Sequence, residues 1–103
     1  MLDARHARDH LDAVIRTIRN RALRVYFETG NSSGLSVPNV ARVGRILRAI
    51  DAANRPEQLN LPGFYLHALR GVRRWSIRVT GNWRITFAWD GGDAVDMDLE
   101  DYH

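Results

Sequence analysis

Apolar residues recur along this chain with two periods, and the change from one to the other divides it. Leu11, Val14, Ile15, Ile18 and Ala22 fit a helical stripe, while the β-branched content of Val14 to Ile18 equally suits a short strand. Periodicity leaves both open there. Leu23, Tyr26 and Phe27 continue a helical face, Gly30 is placed to stop it, and Asn31-Ser32-Ser33-Gly34 follows as a loop. Ser36 ahead of Pro38 has the chemistry of an N-cap with proline in the first turn, which predicts a second helix running to about Ala53. On that helix Val40, Val43, Leu47 and Ile50 share one side, and Arg42, Arg45 and Arg48 share the other. Arg55-Pro56-Glu57 breaks it, and a second proline lies in the short connection that follows.

From Phe64 onward the period is two. Phe64, Leu66 and Ala68 alternate with Tyr65, His67 and Leu69; Trp75, Ile77 and Val79 alternate with Ser76, Arg78 and Thr80. The next run sets Trp83, Ile85, Phe87 and Trp89 against Arg84, Thr86 and Ala88. If Gly81-Asn82 alone formed the turn, Val79 would face Arg84 and apolar side chains would meet polar ones. A three-residue loop, Thr80-Gly81-Asn82, instead pairs Val79 with Trp83, Ile77 with Ile85 and Trp75 with Phe87, leaving one face wholly apolar. The same register puts Arg78 beside Arg84. Like charges directly opposite cost roughly a few tenths of a kcal/mol, so the pair predicts either an anion held between them or two side chains splayed into water. A last strand, with Val95, Met97 and Leu99 inward, follows the turn at Asp90-Gly91-Gly92-Asp93.

Composition narrows the class. At 103 residues and 45% hydrophobic content the chain has room for one core and one domain. It contains no cysteine, which excludes disulfides and thiolate metal sites and suits a reducing compartment. With no apolar run long enough to span a bilayer and no signal-peptide pattern, a cytoplasmic protein without membrane contact is expected. All 15 basic side chains are arginine, and the net charge of +3 suits a polyanionic partner, although a GC-rich coding sequence explains the missing lysines equally well. Asp90, Asp93, Asp96, Asp98, Glu100 and Asp101 crowd the C-terminal end, so the basic surface lies upstream. Its candidate RNA-binding residues are Arg42, Arg45 and Arg48 on the helix with Arg73, Arg74 and Arg78 near the strands; the plain alternative for any one of them is a solvated face. Residues 1–13 are polar, and His6 and His10 lack a third ligand nearby, so no metal site is expected.

Six phrases carry a resemblance: Tyr26-Phe27-Glu28-Thr29-Gly30, Leu61-Pro62-Gly63, Leu66-His67-Ala68-Leu69-Arg70-Gly71, Trp75-Ser76-Ile77, Gly81-Asn82-Trp83-Arg84-Ile85-Thr86-Phe87 and Asp101-Tyr102-His103. In this order they resemble the HigB-type toxins, the plasmid maintenance system killer proteins, over residues 14–103. The resemblance implies an α+β, RelE-like fold: a small antiparallel β-sheet with two N-terminal helices packed on one face. It makes Val14 to Ile18 the first strand and leaves residues 1–13 as an N-terminal extension, with initiation at the Val14 codon an added expectation.

The function implied is that of a type II toxin–antitoxin system toxin, an endoribonuclease that cleaves messenger RNA on the ribosome and so inhibits translation. The partner implied is a HigA-type helix-turn-helix antitoxin, through which operator DNA is reached indirectly. Cleavage in this family uses no metal or other cofactor: a ribose 2′-OH attacks the adjacent phosphate and leaves a 2′,3′-cyclic phosphate, which needs a base, an acid and positive charge on the phosphorane. His67, Arg70, Arg84, Tyr102 and His103 match the family's functional positions. The resemblance makes His67 and His103 the candidates for proton transfer, sets Arg84 and Arg70 on the phosphate, and leaves Tyr102 to stack on or orient the nucleotide. Two departures stand out. Position 70 is usually lysine in the family, and arginine does not give up its proton, so no base role fits there. The loop between Gly71 and Trp75 is also about two residues shorter than the family's usual one. A non-cleaving RNA- or ribosome-binding module of the same fold, or a toxin acting chiefly within an operator-binding complex, are the alternatives.

Overall fold

The computed structural model describes residues 15–102. The His6–His10 pair, the proposed extension, Val14 and His103 lie outside them. Two helices, α1 (Arg21–Thr29) and α2 (Val40–Ala52), are followed by a 3-10 turn (Pro56–Leu59) and four strands: β1 (His67–Leu69), β2 (Arg74–Thr80), β3 (Trp83–Asp90) and β4 (Asp93–Asp101). The strands form one sheet in the order β1-β2-β3-β4, each pair antiparallel. This is the α+β arrangement that the resemblance implies. Neither described helix is long and apolar enough to cross a membrane.

Side-chain caps set where each helix starts. The Leu23 N–H donates to Asn20 Oδ1 at 2.8 Å, and α1 stops at Gly30, whose φ of 81° is the left-handed conformation that glycine adopts without a Cβ clash. The second helix departs from expectation: its cap is Asn39, which accepts the Arg42 N–H at 3.1 Å, and not Ser36. Pro38 therefore precedes the cap instead of occupying the first turn. An amide side chain immediately before Val40 reaches the free N–H groups that a hydroxyl three residues further back cannot.

Alternation builds the sheet. Ile77 pairs with Ile85 and Ile85 with Leu99, so one apolar row crosses three strands; Trp75 pairs with Phe87 beside it. Leu23 from α1 and Val43, Ile46 and Ile50 from α2 close over this face in one buried cluster. Both helices thus pack on the same side, and the other side of the sheet remains free for polar groups.

Two bulges change the expected register. The turn after β2 is the two-residue Gly81-Asn82 with Thr80 opposite Trp83, and a shift between Arg78 and Thr80 leaves Val79 without the expected Trp83 partner. The extra residue restores the register in which Ile77 faces Ile85. A second shift lies between Thr86 and Ala88, where Asp96 adopts φ 52°. Ahead of it Ala94, and not Val95, is the buried residue of β4, while Met97 and Leu99 point inward as expected. Strand structure also begins later than the alternation from Phe64 suggests, at His67, because Tyr65 sits at φ 53°.

The expected first strand is reduced to two isolated parallel bridges, Ile15 to Ala94 and Ile18 to Met97. The Arg16 N–H donates to the Ala94 carbonyl at 2.8 Å, and Met97 N–H donates to Thr17 O at 3.0 Å. Arg16 pairs with Asp90 and Asp93, and Arg19 with Asp96 at 3.9 Å, so part of the C-terminal acidic cluster serves to hold this segment along β4. Ile15 N–H also donates to Asp51 Oδ1 at 3.0 Å, fastening the segment to the end of α2.

The caps make a discriminating test. Asn39→Ala is expected to cost about 1 kcal/mol, whereas Ser36→Ala should change stability by less than about 0.5 kcal/mol. Urea unfolding of the two variants checks both.

Candidate active site

On the sheet face turned away from the helices, cross-strand pairing lines up two polar rows. His67 faces Ser76, Ser76 faces Thr86 and Thr86 faces Asp98; one step along, Arg78 faces Arg84 and Arg84 faces Glu100. An open cleft of about 430 Å³ lies over these rows, lined by Tyr65, His67, Leu69, Ser76, Arg78, Arg84 and Tyr102. The chain thereby brings residues from the segment before β1, from three strands and from the C-terminal tail to one place.

Among the described residues neither Arg78 nor Arg84 forms an ion pair, and Glu100, across from Arg84, accepts from Thr86 instead. Arg84 donates from Nη1 to the carbonyls of Gly81 at 2.9 Å and Trp83 at 3.1 Å, with its guanidinium carbon 5.9 Å from the Tyr102 ring centre. Arg78 lies 5.7 Å from the Tyr65 ring centre. Carbonyl bonds and ring faces orient a guanidinium without neutralising it, so the cleft keeps two fixed positive charges side by side. Tyr102 is held in turn by its N–H, which donates to Asn82 O at 2.8 Å.

The sheet face beside the cleft is hydrogen-bonded. Thr86, fully buried, donates from Oγ1 to Glu100 Oε2 at 2.5 Å and accepts from Arg74 Nη2 at 3.0 Å. Arg74 also donates to the Asp96 carbonyl at 2.7 Å, across the β4 bulge. With Ser76 also buried, this outward face is polar yet partly sealed. A buried hydroxyl needs its partners, and Thr86 has one on each side.

The arginines singled out in the sequence therefore divide. Arg78 lines the cleft; Arg74 lies outside the lining and is tied to Thr86, which pairs with the cleft-lining Ser76. Arg70 and Arg73 are exposed in the β1–β2 turn, outside the cleft lining, and Arg45 and Arg48 are exposed on α2, on the helical side of the sheet. Arg42 belongs to neither group. Its Nη2 donates to the carbonyls of Gly63 and, at 2.8 Å, Arg78, so the side chain clamps α2 to the loop before β1 and to β2. Of the residues expected at the site, His67, Arg84 and Tyr102 meet at the cleft, while His103 lies outside the described residues. Tyr65, Leu69 and Ser76 also line it and were not anticipated. For Ser76 a signal existed, since the expected register already placed it beside Thr86.

A family model described as the RelE-like toxin of the type II toxin–antitoxin system HigB matches residues 16–103. The chain belongs to this family. Among related proteins, the Endoribonuclease HigB of Proteus vulgaris is 41% identical over 92 residues, which cover 87% of this chain and 100% of that protein. Membership of a type II toxin family implies an antitoxin partner for this HigB-like chain. The matched span takes in both helices, the whole sheet and every cleft-lining residue.

The clamp can be separated from the exposed helix arginines. Arg42→Ala should lower stability by about 1–2 kcal/mol through its lost carbonyl bonds, while Arg45→Ala should remain within about 0.5 kcal/mol of the parent. Thermal unfolding followed by circular dichroism checks the contrast.

Proposed function

We propose that this chain is the toxin of a type II toxin–antitoxin pair and acts as a metal-independent endoribonuclease on messenger RNA held in the ribosome. The observation that carries the reading is the single cleft where His67, Arg78, Arg84 and Tyr102 converge. The toxin domain is taken as residues 14–103, working in the cytoplasm and restrained by a HigA-type helix-turn-helix antitoxin that supplies the operator contacts.

The chemistry needs little beyond these side chains. A base removes the proton from a ribose 2′-OH, the oxygen attacks the neighbouring phosphorus, and the bond from phosphorus to the 5′-oxygen breaks as that oxygen receives a proton. The products are a 2′,3′-cyclic phosphate and a 5′-hydroxyl. His67 and His103, which follows Tyr102 directly, are the two proton-transfer candidates. Arg84, with Arg78 opposite it, meets the charge that grows on the phosphorane oxygens, and Tyr102 stacks on or orients a nucleotide. Arg70 and Arg73, in the β1–β2 turn, extend the positive surface toward the flanking RNA backbone.

Programmed ribosomes carrying a defined message provide the test, with cleavage mapped by primer extension. His67→Ala should slow cleavage by roughly a hundredfold or more through loss of proton transfer. Arg84→Ala should slow it by roughly a hundred- to a thousandfold. His67 is exposed, so its variant should melt with the parent. Cleavage that survives both substitutions overturns the site assignment, and translation arrest with intact message would mark a binding module in place of a nuclease.

A further inference from the structure

Four side chains cross the outer face in the order aromatic, cation, cation, aromatic. Tyr65 lies against Arg78, Arg78 pairs across the strands with Arg84, and Arg84 lies against Tyr102. We infer that Tyr65 is a second base-stacking platform, so that the cleft takes a dinucleotide step with its scissile phosphate between the arginines and one base on each tyrosine. This assignment rests on the RNA-cleaving reading above and adds the subsite that reading leaves open.

Three observations support it. Tyr65 is 67% exposed, more than Tyr102 at 38%, so one face of its ring meets the Arg78 guanidinium while much of the side chain stands in solvent. The ring face turned away from Arg78 is therefore open to a base at the cleft that Tyr65 lines. Its backbone, at φ 53°, is in the left-handed region that bulky residues avoid, and such strain persists only where the surroundings hold it. They do: Arg78 N–H donates to Phe64 O at 2.9 Å, and Arg42 binds the Gly63 carbonyl, fixing the two residues that lead into Tyr65. The ring is thus presented by a braced loop.

The spacing suits the chemistry. Tyr65 and Tyr102 flank the Arg78–Arg84 pair from its two sides, so bases resting on the two rings are separated by the guanidiniums and not stacked on each other. A splayed step is what in-line attack requires, because in a stacked A-form strand the 2′-oxygen does not lie opposite the leaving 5′-oxygen. Stacking on an aromatic ring is indifferent to base identity, so Tyr65 contributes affinity and geometry more than sequence choice.

The experiment uses the full chain and programmed ribosomes whose message has 2′-deoxyribose at the cleavage step, carrying 2-aminopurine on one side of that step or the other. Stacking quenches the reporter. The parent and Tyr65→Phe should quench it at both positions. Tyr65→Leu should restore fluorescence at one position only and weaken binding by roughly five- to a hundredfold. A parent protein that quenches neither reporter, or a Tyr65→Leu variant that keeps full quenching and affinity, overturns the platform. Arg84→Ala separates the two readings: if it loses binding while Tyr65→Leu does not, the platform fails and the nuclease reading stands. If neither change affects binding, both fail.

Discussion

The row Ile77, Ile85 and Leu99, sealed beneath α1 and α2, is the constraint from which the outer face follows. Side chains alternate across a sheet, so fixing those three inward forces their neighbours Arg78, Arg84 and Glu100 outward, aligned in the next row. A slip of one residue in β2 or β3 would carry a guanidinium into the apolar layer, and a slip in β4 a carboxylate. Burial of each large side chain contributes roughly 1.5–3 kcal/mol, against tenths for the repulsion between opposed arginines. The hydrophobic layer wins, and two like charges stand side by side because the core has no use for them anywhere else.

This asymmetry also explains why the arginines differ so much. Arg42 reaches from a half-buried position on α2 to carbonyl groups of the loop before β1 and of strand β2, and Arg74 bonds Thr86 and the Asp96 carbonyl at the β4 bulge. Both are consumed by backbone or hydroxyl partners. Among the described residues Arg78 and Arg84 form no ion pair: Glu100, across from Arg84, accepts from Thr86, and Asp90, Asp93 and Asp96 are engaged by Arg16 and Arg19. Positive charge at the cleft is thus a product of how ion pairs are distributed, and not of net composition.

Much of this was legible in the residues. The alternation from Trp83 to Trp89 and the pairing of Ile77 with Ile85 follow from polarity alone, and so does the adjacency of Arg78 and Arg84. The bulges were not legible, because an extra residue such as Val79 is apolar in either register and leaves no mark on the pattern. The Arg42 bonds to the Gly63 and Arg78 carbonyls were not legible either, because periodicity records where a side chain leaves the helix and not how far a guanidinium bends back. Tyr65 was hidden for a related reason: its direction depends on a positive φ, which no run of apolar and polar residues encodes. The convergence of His67, Arg84 and Tyr102 needed family phrases, since they are distant in sequence and meet only after the sheet closes.

The segment at Ile15 to Ile18 has one more effect. By lying parallel against Ala94 and Met97 it occupies backbone groups that another molecule's strand would otherwise template on, and the remainder of β4 carries Asp98, Glu100 and Asp101. The opposite margin is the three-residue β1, too short to seed a growing ribbon. A sheet bordered in this way resists edge-to-edge polymerisation, which keeps its polar side available to a long, flexible polyanion and not to copies of itself.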